Sequence, residues 1–417
     1  MAISTHAGLS LLLPLTQMTQ GLASQASEHG LLAIDTEFVS ERRYQAQLCL
    51  VQVAVPDSEA PEGVRTEVLD PLDENGSPDV APLAGVLADP AVEILMHAGR
   101  QDVAILRRTW STEVTNVFDT QVAGGFLGFG NQEGYEQLVR RVLGVRLGGG
   151  EGFTRWDQRP LTPKQIEYAG DDARLLLALA AALQRDLAER GRLDWAREES
   201  RLVEASKDER SAERAYEKLP KLSRLENGQR AAAKRLCEWR ERVARGMDRP
   251  PSYVIPDQAL VELARRRPRD RGALEQIRGL PQQTMHRRGA EIVAEIERSR
   301  DEEAPPAAAS PPRRDPAEAP LVSLAQAVVR HRSLECGIAT ELIATQSELA
   351  ALVGEARRGA GEGAESVRAL RGWRRELIGE ELEELLAGRR SVSVSPDGTL
   401  TIKGSDPLSE VNNPHGR

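Results

Sequence analysis

Two acidic residues, Asp35 and Glu37, are the first feature of this sequence that could do chemistry. They follow the apolar run 31–34, which predicts an interior strand. Because alternate residues of a strand point to the same face, both carboxylates project from one side of the sheet. An exposed strand face that carries charge is one interpretation of this pair. The apolar context favours another, a bound cation, because unpaired carboxylates are costly to desolvate.

Further acidic residues occur where helices are predicted. Asp102 ends the motif His97-Ala-Gly-Arg-Gln-Asp102, where a strand ends, a glycine turns the chain and a helix begins. Tyr168 and Asp172 are four residues apart on a predicted helix and share one face, whereas Asp171 is turned about 100° away. Taken singly, Asp102 could be a first-turn acid that interacts with the helix dipole. Tyr168 and Asp172 could likewise be a surface pair.

Together, the four carboxylates predict a metal site for phosphoryl transfer. Acids from a strand, a helix start and a later helix could hold two divalent ions, which stabilise the attacking and leaving oxygens. Oxygen ligands of this kind select Mg²⁺ or Mn²⁺ rather than zinc or copper. In this hypothesis Asp35 contacts both ions, and Glu37 and Asp172 support one of them. Asp102 helps to hold the other ion, and Tyr168 orients the attacking water.

The elements that must position these residues predict an α/β domain over residues 28–195, after an N-terminal segment at 1–27. Short apolar runs alternate there with segments of helical period. The first two strands are expected to pair antiparallel, and Thr162 with Pro163 to open the longest helix. The predicted strands are Leu31–Asp35, Gln47–Val53, Thr66–Asp70 and Val92–Met96. The predicted helices are Gln101–Thr109, Gly134–Leu143 and Thr162–Arg185.

After this domain the strand signals vanish, and the chain becomes rich in Arg, Glu, Ala and Leu with helical period. Two helical modules are predicted, at 222–300 and 321–390. The segment 301–320 between them is rich in proline and alanine, which predicts a linker. Residues 391–417 form a tail in which alternation around a Pro-Asp-Gly turn predicts a hairpin.

Composition indicates a globular protein of several domains. The 417 residues are 40% hydrophobic and 29% charged, enough for two or three cores. Three scattered cysteines support neither a disulfide framework nor a zinc site. The apolar run Leu9–Leu15 is too short to span a bilayer, and the glycines between 124 and 130 form no dinucleotide-binding motif. We therefore expect a cytoplasmic monomer without a membrane segment or a dinucleotide cofactor.

A formal net charge of −9 weakens a nucleic-acid interpretation, because phosphate binding relies on Lys and Arg. It does not decide the question, since a carboxylate metal site adds negative charge and arginines cluster locally. Basic residues at partly helical spacing in the first helical module could contact phosphates. The alternative is a solvated helix face, interleaved with Glu238 and Glu241. The basic residues in question are Arg230, Lys234, Arg235, Arg240 and Arg242.

The order of the acidic motifs resembles that of the tyrosine-bearing DEDD branch of DnaQ-like exonucleases, and more narrowly the ribonuclease D family. Its three parts are Asp35-Thr-Glu37, His97-Ala-Gly-Arg-Gln-Asp102 and Tyr168-x-x-x-Asp172. Intervening segments match as well: Tyr44-Gln-Ala-Gln-Leu-Cys-Leu-Val-Gln52, Phe118-Asp-Thr-Gln121 and Trp156-Asp-Gln-Arg-Pro-Leu161. One departure is the glycine run 148–150 with Arg155, where that family usually has a lysine and, next to the tryptophan, an acid.

The downstream modules extend this resemblance over nearly the whole chain. Residues 228–300 are similar to an HRDC domain, with Glu238-Trp-Arg240 and Pro251-Ser-Tyr-Val-Ile-Pro256. Residues 321–388, which include Gly372-Trp-Arg-Arg-Glu376, resemble the second helical domain of ribonuclease D proteins. The resemblance implies an α/β, ribonuclease H-like (DnaQ-like) mixed-sheet exonuclease domain followed by two all-α HRDC-like helical domains.

The same resemblance implies a 3′→5′ exoribonuclease. Such an enzyme would use two divalent ions, Mg²⁺ or Mn²⁺, to remove 3′-terminal nucleotides from structured RNA such as tRNA precursors, releasing nucleoside 5′-monophosphates. His97, Gln101 and Gln47 would contribute to the substrate-binding wall. Two alternatives stay open: an exonuclease that acts on DNA, and an inactive nucleic-acid binding protein in which the helical modules do the work.

Overall fold

The computed structural model describes residues 15–73, 76–148, 154–208, 210–306, 315–358 and 367–404. Parts of several predicted segments lie outside these ranges. They are residues 1–14 of the N-terminal segment, 74–75 and 149–153 of the α/β domain with part of the glycine run, 307–314 of the linker, 359–366 of the second helical module and 405–417 of the tail.

The described residues form strands and helices in the following chain order. The strands are β1 (Leu31–Val39), β2 (Gln47–Pro56), β3 (Val64–Leu69), β4 (Glu93–Met96), β5 (Val117–Asp119), β6 (Arg390–Val394) and β7 (Leu400–Gly404). The helices up to the first helical module are α1 (Leu15–His29), α2 (Ala81–Ala88), α3 (Arg100–Trp110), α4 (Thr120–Phe126), α5 (Tyr135–Leu143), α6 (Pro163–Glu189), α7 (Leu193–Glu204) and α8 (Ala212–Glu217). The later helices are α9 (Asn227–Met247), α10 (Pro251–Val254), α11 (Asp257–Arg266), α12 (Arg271–Leu274), α13 (Gln282–Arg298), α14 (Glu318–Cys336), α15 (Thr340–Ile343), α16 (Gln346–Arg358), α17 (Gly372–Arg374) and α18 (Glu380–Leu386).

The first five strands form one mixed sheet in the order β3-β2-β1-β4-β5. β1 pairs antiparallel with β2 and parallel with β4, so it lies at the centre of the sheet. The four predicted strands and the antiparallel pairing of the first two are confirmed. β5 was not predicted, because three residues are too few to show a period. This mixed sheet and the helical region after it confirm the predicted fold class.

Helices cover both faces of the sheet, and apolar residues pack in separate clusters on the two sides. α1, α2 and α3 pack on one face, where Leu22 and Ala26 of α1 are buried. α6 crosses the other face, against β1, β2 and β3. As predicted, Thr162 caps α6: its hydroxyl accepts from the backbone N–H of Gln165, whose side chain bonds back to Thr162. This capping box defines where α6 begins.

The two helical regions attach to this sheet domain in different ways. The first, built from α8 to α13, has its own apolar cluster, which Tyr44 of the β1–β2 loop joins. The second, built from α14 to α18, shares one continuous cluster with α4, α6 and α7. β6 and β7 pair antiparallel, and Val392 and Ile402 pack against that shared cluster. None of the described helices has the length and apolar composition needed to cross a bilayer.

Candidate active site

Three carboxylates converge on the face of the sheet where α6 packs against β1. Strand alternation directs Asp35 and Glu37 to the face that α6 covers, and Asp172 projects from α6 toward them. Carboxylate oxygens of all three residues lie within 4.8 Å of one another. The structure therefore brings together acids from two elements that are more than a hundred residues apart in the chain.

The electrostatics of this group are unfavourable without a cation. Burial, and then the negative charge of Asp102, raise the pKa of Asp35 well above the usual value for an aspartate. Burial, followed by the charge of Asp172, raises the pKa of Glu37 to about 8. Burial also raises the pKa of Asp172 to about 7, although a hydrogen bond from Tyr168 lowers it. No described cationic side chain offsets these shifts, so a bound divalent ion fits the donor set.

Asp102 lies beside this group rather than within it. The hydroxyl of Thr36, on the opposite face of β1 from Asp35, donates a hydrogen bond to the Asp102 carboxylate. Burial raises the pKa of Asp102 to about 6, while that hydrogen bond lowers it. Its charge still raises the pKa values of Asp35 and Glu37. Asp102 is thus close enough to act on the group electrostatically, but it is tied to Thr36.

The turn that carries Asp102 is held by Asp119, to which the sequence interpretation assigned no role. The Asp119 carboxylate accepts hydrogen bonds from the backbone N–H groups of Ala98 at 3.1 Å and Gly99 at 2.9 Å. It also accepts from the first turn of α4, so one buried acid caps α4 and holds the turn that precedes α3. A Cβ on Gly99 would lie 2.7 Å from the sulfur of Met96. One sequence feature could have identified Asp119: it is an acid at the end of a strand, just before a helix.

Tyr168 is oriented by contacts on both sides. Its hydroxyl hydrogen-bonds Asp172, and its ring stacks on Trp156 at 6.3 Å between centroids. Burial and the charge of Asp172 raise the pKa of Tyr168, so the phenol keeps its proton. Arg159 donates to both carboxylate oxygens of Asp70, at 2.6 and 2.5 Å, and to the Trp156 carbonyl at 2.8 Å. These bonds position Trp156 beneath Tyr168.

His97 contacts residues next to the acidic site. Its Nδ1 lies 2.9 Å from the Thr120 hydroxyl, and its ring packs edge-on against Tyr135 at 5.3 Å. Tyr135 in turn donates to the backbone carbonyl of Asp172 at 2.5 Å. Burial lowers the pKa of His97. His97 therefore helps to position Asp172, through a tyrosine for which the sequence carried no signal.

Three glutamines on β2 and α3 lie in different environments. Gln101 is exposed on the first turn of α3. Gln47, at the start of β2, has a buried side-chain oxygen without a hydrogen-bond partner among the described residues. Gln52 is fully buried directly opposite Asp35, and both of its amide atoms likewise have no partner in the described part of the chain. Gln52 was assigned no role from the sequence, although a polar residue in an apolar strand was a signal.

Known families and proteins resemble this chain over nearly its whole length. Residues 16–188 match the family model described as a 3′-5′ exonuclease, and residues 229–296 match the HRDC domain. Ribonuclease D of Nitrobacter hamburgensis is 33% identical over 398 residues, which cover 94% of this chain and 100% of the relative. Ribonuclease D of Acidiphilium cryptum is 32% identical over 384 residues, covering 91% and 93%. The chain belongs to the ribonuclease D family.

A solved structure supports the same assignment for the whole fold. The crystal structure of Escherichia coli RNase D, described as an exoribonuclease involved in structured RNA processing, matches with a TM-score of 0.78 and 27% identity. The match covers 91% of this chain and 99% of the other. Family membership makes this protein a 3′→5′ exoribonuclease by class, as the motifs implied. Exonucleases of this kind are metal-dependent, and the acidic group suits that chemistry.

Proposed function

We propose that this protein removes nucleotides one at a time from the 3′ end of structured RNA, with tRNA precursors as substrates, and releases nucleoside 5′-monophosphates. One observation carries the proposal: Asp35, Glu37 and Asp172 converge in a domain that matches a 3′-5′ exonuclease model, and no counter-charge among the described residues accompanies them. The description of the Escherichia coli relative supports structured RNA as the substrate class.

Each candidate residue has a role in this proposal. Asp35, Glu37 and Asp172 hold divalent cations, Mg²⁺ or Mn²⁺, and Asp102 contributes to a second ion. The bound ions supply charge stabilisation at the attacking and leaving oxygens of the scissile phosphodiester. Because Glu37 and Asp172 have pKa values of about 8 and 7 without metal, they give up protons when cations bind.

The protonated Tyr168 orients the attacking water. Its hydroxyl hydrogen-bonds Asp172, so a water that contacts this acid from the same side would be within reach of the phenol. Trp156 prevents the Tyr168 ring from rotating away. His97, Gln101 and Gln47 contribute to the walls of the substrate site.

We also propose the division of the chain into an exonuclease domain at 28–195, an HRDC domain at 222–300 and a second HRDC-like domain at 321–390. The linker at 301–320 and the tail at 391–417 complete it. The separate apolar cluster of the first helical region and the HRDC match at 229–296 support the first boundary. In this arrangement the helical domains grip the RNA body while the sheet domain takes a single-stranded end.

The deciding experiment follows the length of a 3′-extended tRNA and a matched DNA strand over time, with Mg²⁺, Mn²⁺ or EDTA. The wild type should shorten the RNA stepwise, only with metal. Asp172→Asn should lower the rate by more than about a hundredfold, because it removes a metal ligand.

Asp171→Asn is the matched control, since Asp171 is the adjacent acid and pairs with Arg174 at 2.9 Å instead of facing the site. Its rate should stay close to that of the wild type. Shortening that survives EDTA, or that is equal in both variants, would overturn the mechanism. Equal shortening of the DNA would overturn the choice of RNA.

A further inference from the structure

The turn between β4 and α3, which leads into Asp102, has a strained backbone. Ala98 has a φ of 54°, in the left-handed region that residues other than glycine rarely adopt. Gly99 follows with a φ of −71°, so the two residues have opposite hand. A strained backbone persists only where its surroundings hold it, and such strain is concentrated at functional sites. The contacts that hold this turn therefore determine where Asp102 lies.

One buried carboxylate supplies those contacts. Asp119 is 1% exposed, and its Oδ1 accepts from the Ala98 N–H while its Oδ2 accepts from the Gly99 N–H. Oδ1 also accepts from the N–H groups of Gln121 at 2.9 Å and Val122 at 3.2 Å, at the start of α4. Successive N–H groups of a turn with alternating hand form a concave anion site. In this turn a side chain of the protein itself fills that site.

α7 in turn holds Asp119. Asp119 ends β5, an edge strand that pairs with β4 on one side only. On the other side, the N–H of Asp119 donates to the Ser200 hydroxyl at 3.2 Å, and the N–H of Val117 donates to the Glu204 carboxylate at 2.9 Å. Ser200 and Glu204 are four residues apart on α7 and share one face. That face takes the place of a further strand.

α7 also contacts the start of α3 and the second helical region. Arg100, in the same turn of α3 as Asp102, donates to the backbone carbonyl of Leu202 at 3.4 Å. Glu199, next to Ser200, accepts from Arg374 of the second helical region at 2.7 Å. α7 therefore joins β5 and the beginning of α3 to a buried ion pair.

We propose that Asp119 is a positioning residue for the reaction, with Ser200 as its support on α7. Through the N–H groups of Ala98 and Gly99 it places the Asp102 carboxylate where that acid helps to hold a second cation. The inference rests on the proposed function, because it takes Asp102 as a contributor to the second ion. Removing residues that orient a metal ligand in this way typically weakens metal binding about ten- to a hundredfold.

The test uses Asp119→Asn, which changes one bond selectively. The amide oxygen can replace Oδ1 and keep the bonds to Ala98 and α4, whereas the amide NH2 cannot accept from Gly99. Mn²⁺ is titrated into the full chain with AMP present, and electron paramagnetic resonance measures the free ion. The wild type should bind two ions. The variant should bind the first ion almost as tightly as the wild type does and the second about tenfold or more weakly.

The rate of RNA shortening provides a second readout. In Asp119→Asn the rate should fall at low Mg²⁺ and recover at high Mg²⁺, while the KM for RNA stays unchanged. A purely structural defect would remove folded protein and reduce the number of both ion sites equally, without changing the affinity of one of them.

Two variants of α7 separate position from charge. Ser200→Ala removes the bond to the Asp119 N–H without changing any charge, and it should weaken the second ion about threefold, as expected for one neutral hydrogen bond. Glu204→Gln removes a charge from the same face of α7 but keeps an acceptor for the Val117 N–H. It should bind both ions like the wild type.

The possible failures are distinguishable. Equal weakening of both ions in Asp119→Asn, or a second ion bound as in the wild type, would overturn the inference. A loss in Glu204→Gln as large as that in Ser200→Ala would also overturn it, because charge would then explain the effect. A wild type that binds fewer than two ions removes the role of Asp102 and the inference with it. A wild type that binds two ions but does not shorten RNA refutes the proposed function, whereas the Mn²⁺ titration still decides the inference.

Discussion

Two of the regions in which this molecule encloses carboxylates differ in whether a counter-charge accompanies them. Where α7 meets the C-terminal helices, Glu199 is only 5% exposed. It accepts hydrogen bonds from Arg374 at 2.7 Å and from the Trp373 indole at 3.3 Å, and it also pairs with Arg368. Burial raises the pKa of Glu199, but the bond and charge of Arg374 outweigh it and lower the pKa overall.

Within the described residues, the acidic site has no such counter-charge. The pKa values of Asp35, Glu37 and Asp172 are all raised, and no described arginine or lysine pairs with them. A buried charge with its own counter-ion stabilises a junction, whereas buried charges without one destabilise the fold until a ligand arrives. The comparison favours a structural role for Glu199 and its partners and a cation-binding role for the acidic site.

The largest expected effect comes from Asp35→Asn, which removes one uncompensated charge without changing the side-chain size. Ribonuclease activity should fall by more than about a hundredfold, while the free energy of unfolding in EDTA should rise because repulsion is relieved. Activity assays and urea unfolding measure the two effects. A variant that is both active and less stable would contradict the comparison.

Glu199→Ala should have the opposite effect on stability. It leaves the Arg374 guanidinium, 4% exposed, without its carboxylate, and the free energy of unfolding should fall by about 3–5 kcal/mol. The double variant Glu199→Leu with Arg374→Met is the control. It replaces both charges with apolar groups and should unfold at a urea concentration much closer to that of the wild type.

The pH dependence of stability should differ between the regions. Glu37 and Asp172 have folded pKa values of about 8 and 7, above their ordinary values of 4.5 and 3.8. The folded protein therefore binds more protons between those values, and the contribution of this site to stability falls as pH rises from about 4 to 8. Glu199 has a lowered pKa, so its contribution is lost instead as pH falls below its ordinary range.

Thermal unfolding from pH 5 to 8, with EDTA or saturating Mg²⁺, measures these dependences. Mg²⁺ at about 100 times its Kd should add about 2.7 kcal/mol and should offset the loss at high pH. In Asp35→Asn the Mg²⁺ effect should shrink. A Mg²⁺ effect of equal size in the wild type and Asp35→Asn would exclude this cluster as the metal site.

The smallest expected effect concerns Gln52, the buried amide beside Asp35. Gln52→Met removes two polar atoms that have no partner among the described residues, so the free energy of unfolding in EDTA should rise by about 1 kcal/mol. Gln184→Met is the control and should destabilise, because its amide donates to Glu93 at 2.6 Å. A loss of stability in Gln52→Met would show that the amide has a partner.

The sequence by itself determined the local geometry of the site. Strand alternation puts Asp35 and Glu37 on one face, and helical spacing puts Tyr168 and Asp172 on another, because both periods depend only on backbone dihedrals. The capping pair at the start of α6 was predictable for the same reason. Motif order was specific enough to identify the family.

Only the tertiary structure decided how these faces meet and what neutralises each charge. It brought β1 and α6 together, tied Asp102 to Thr36 and buried Gln52 opposite Asp35. It also showed that Arg235 and Arg240, possible phosphate contacts by sequence, pair with acids from distant helices or loops. Burial and charge partners depend on contacts between residues far apart in the chain, and a local pattern carries no information about such contacts.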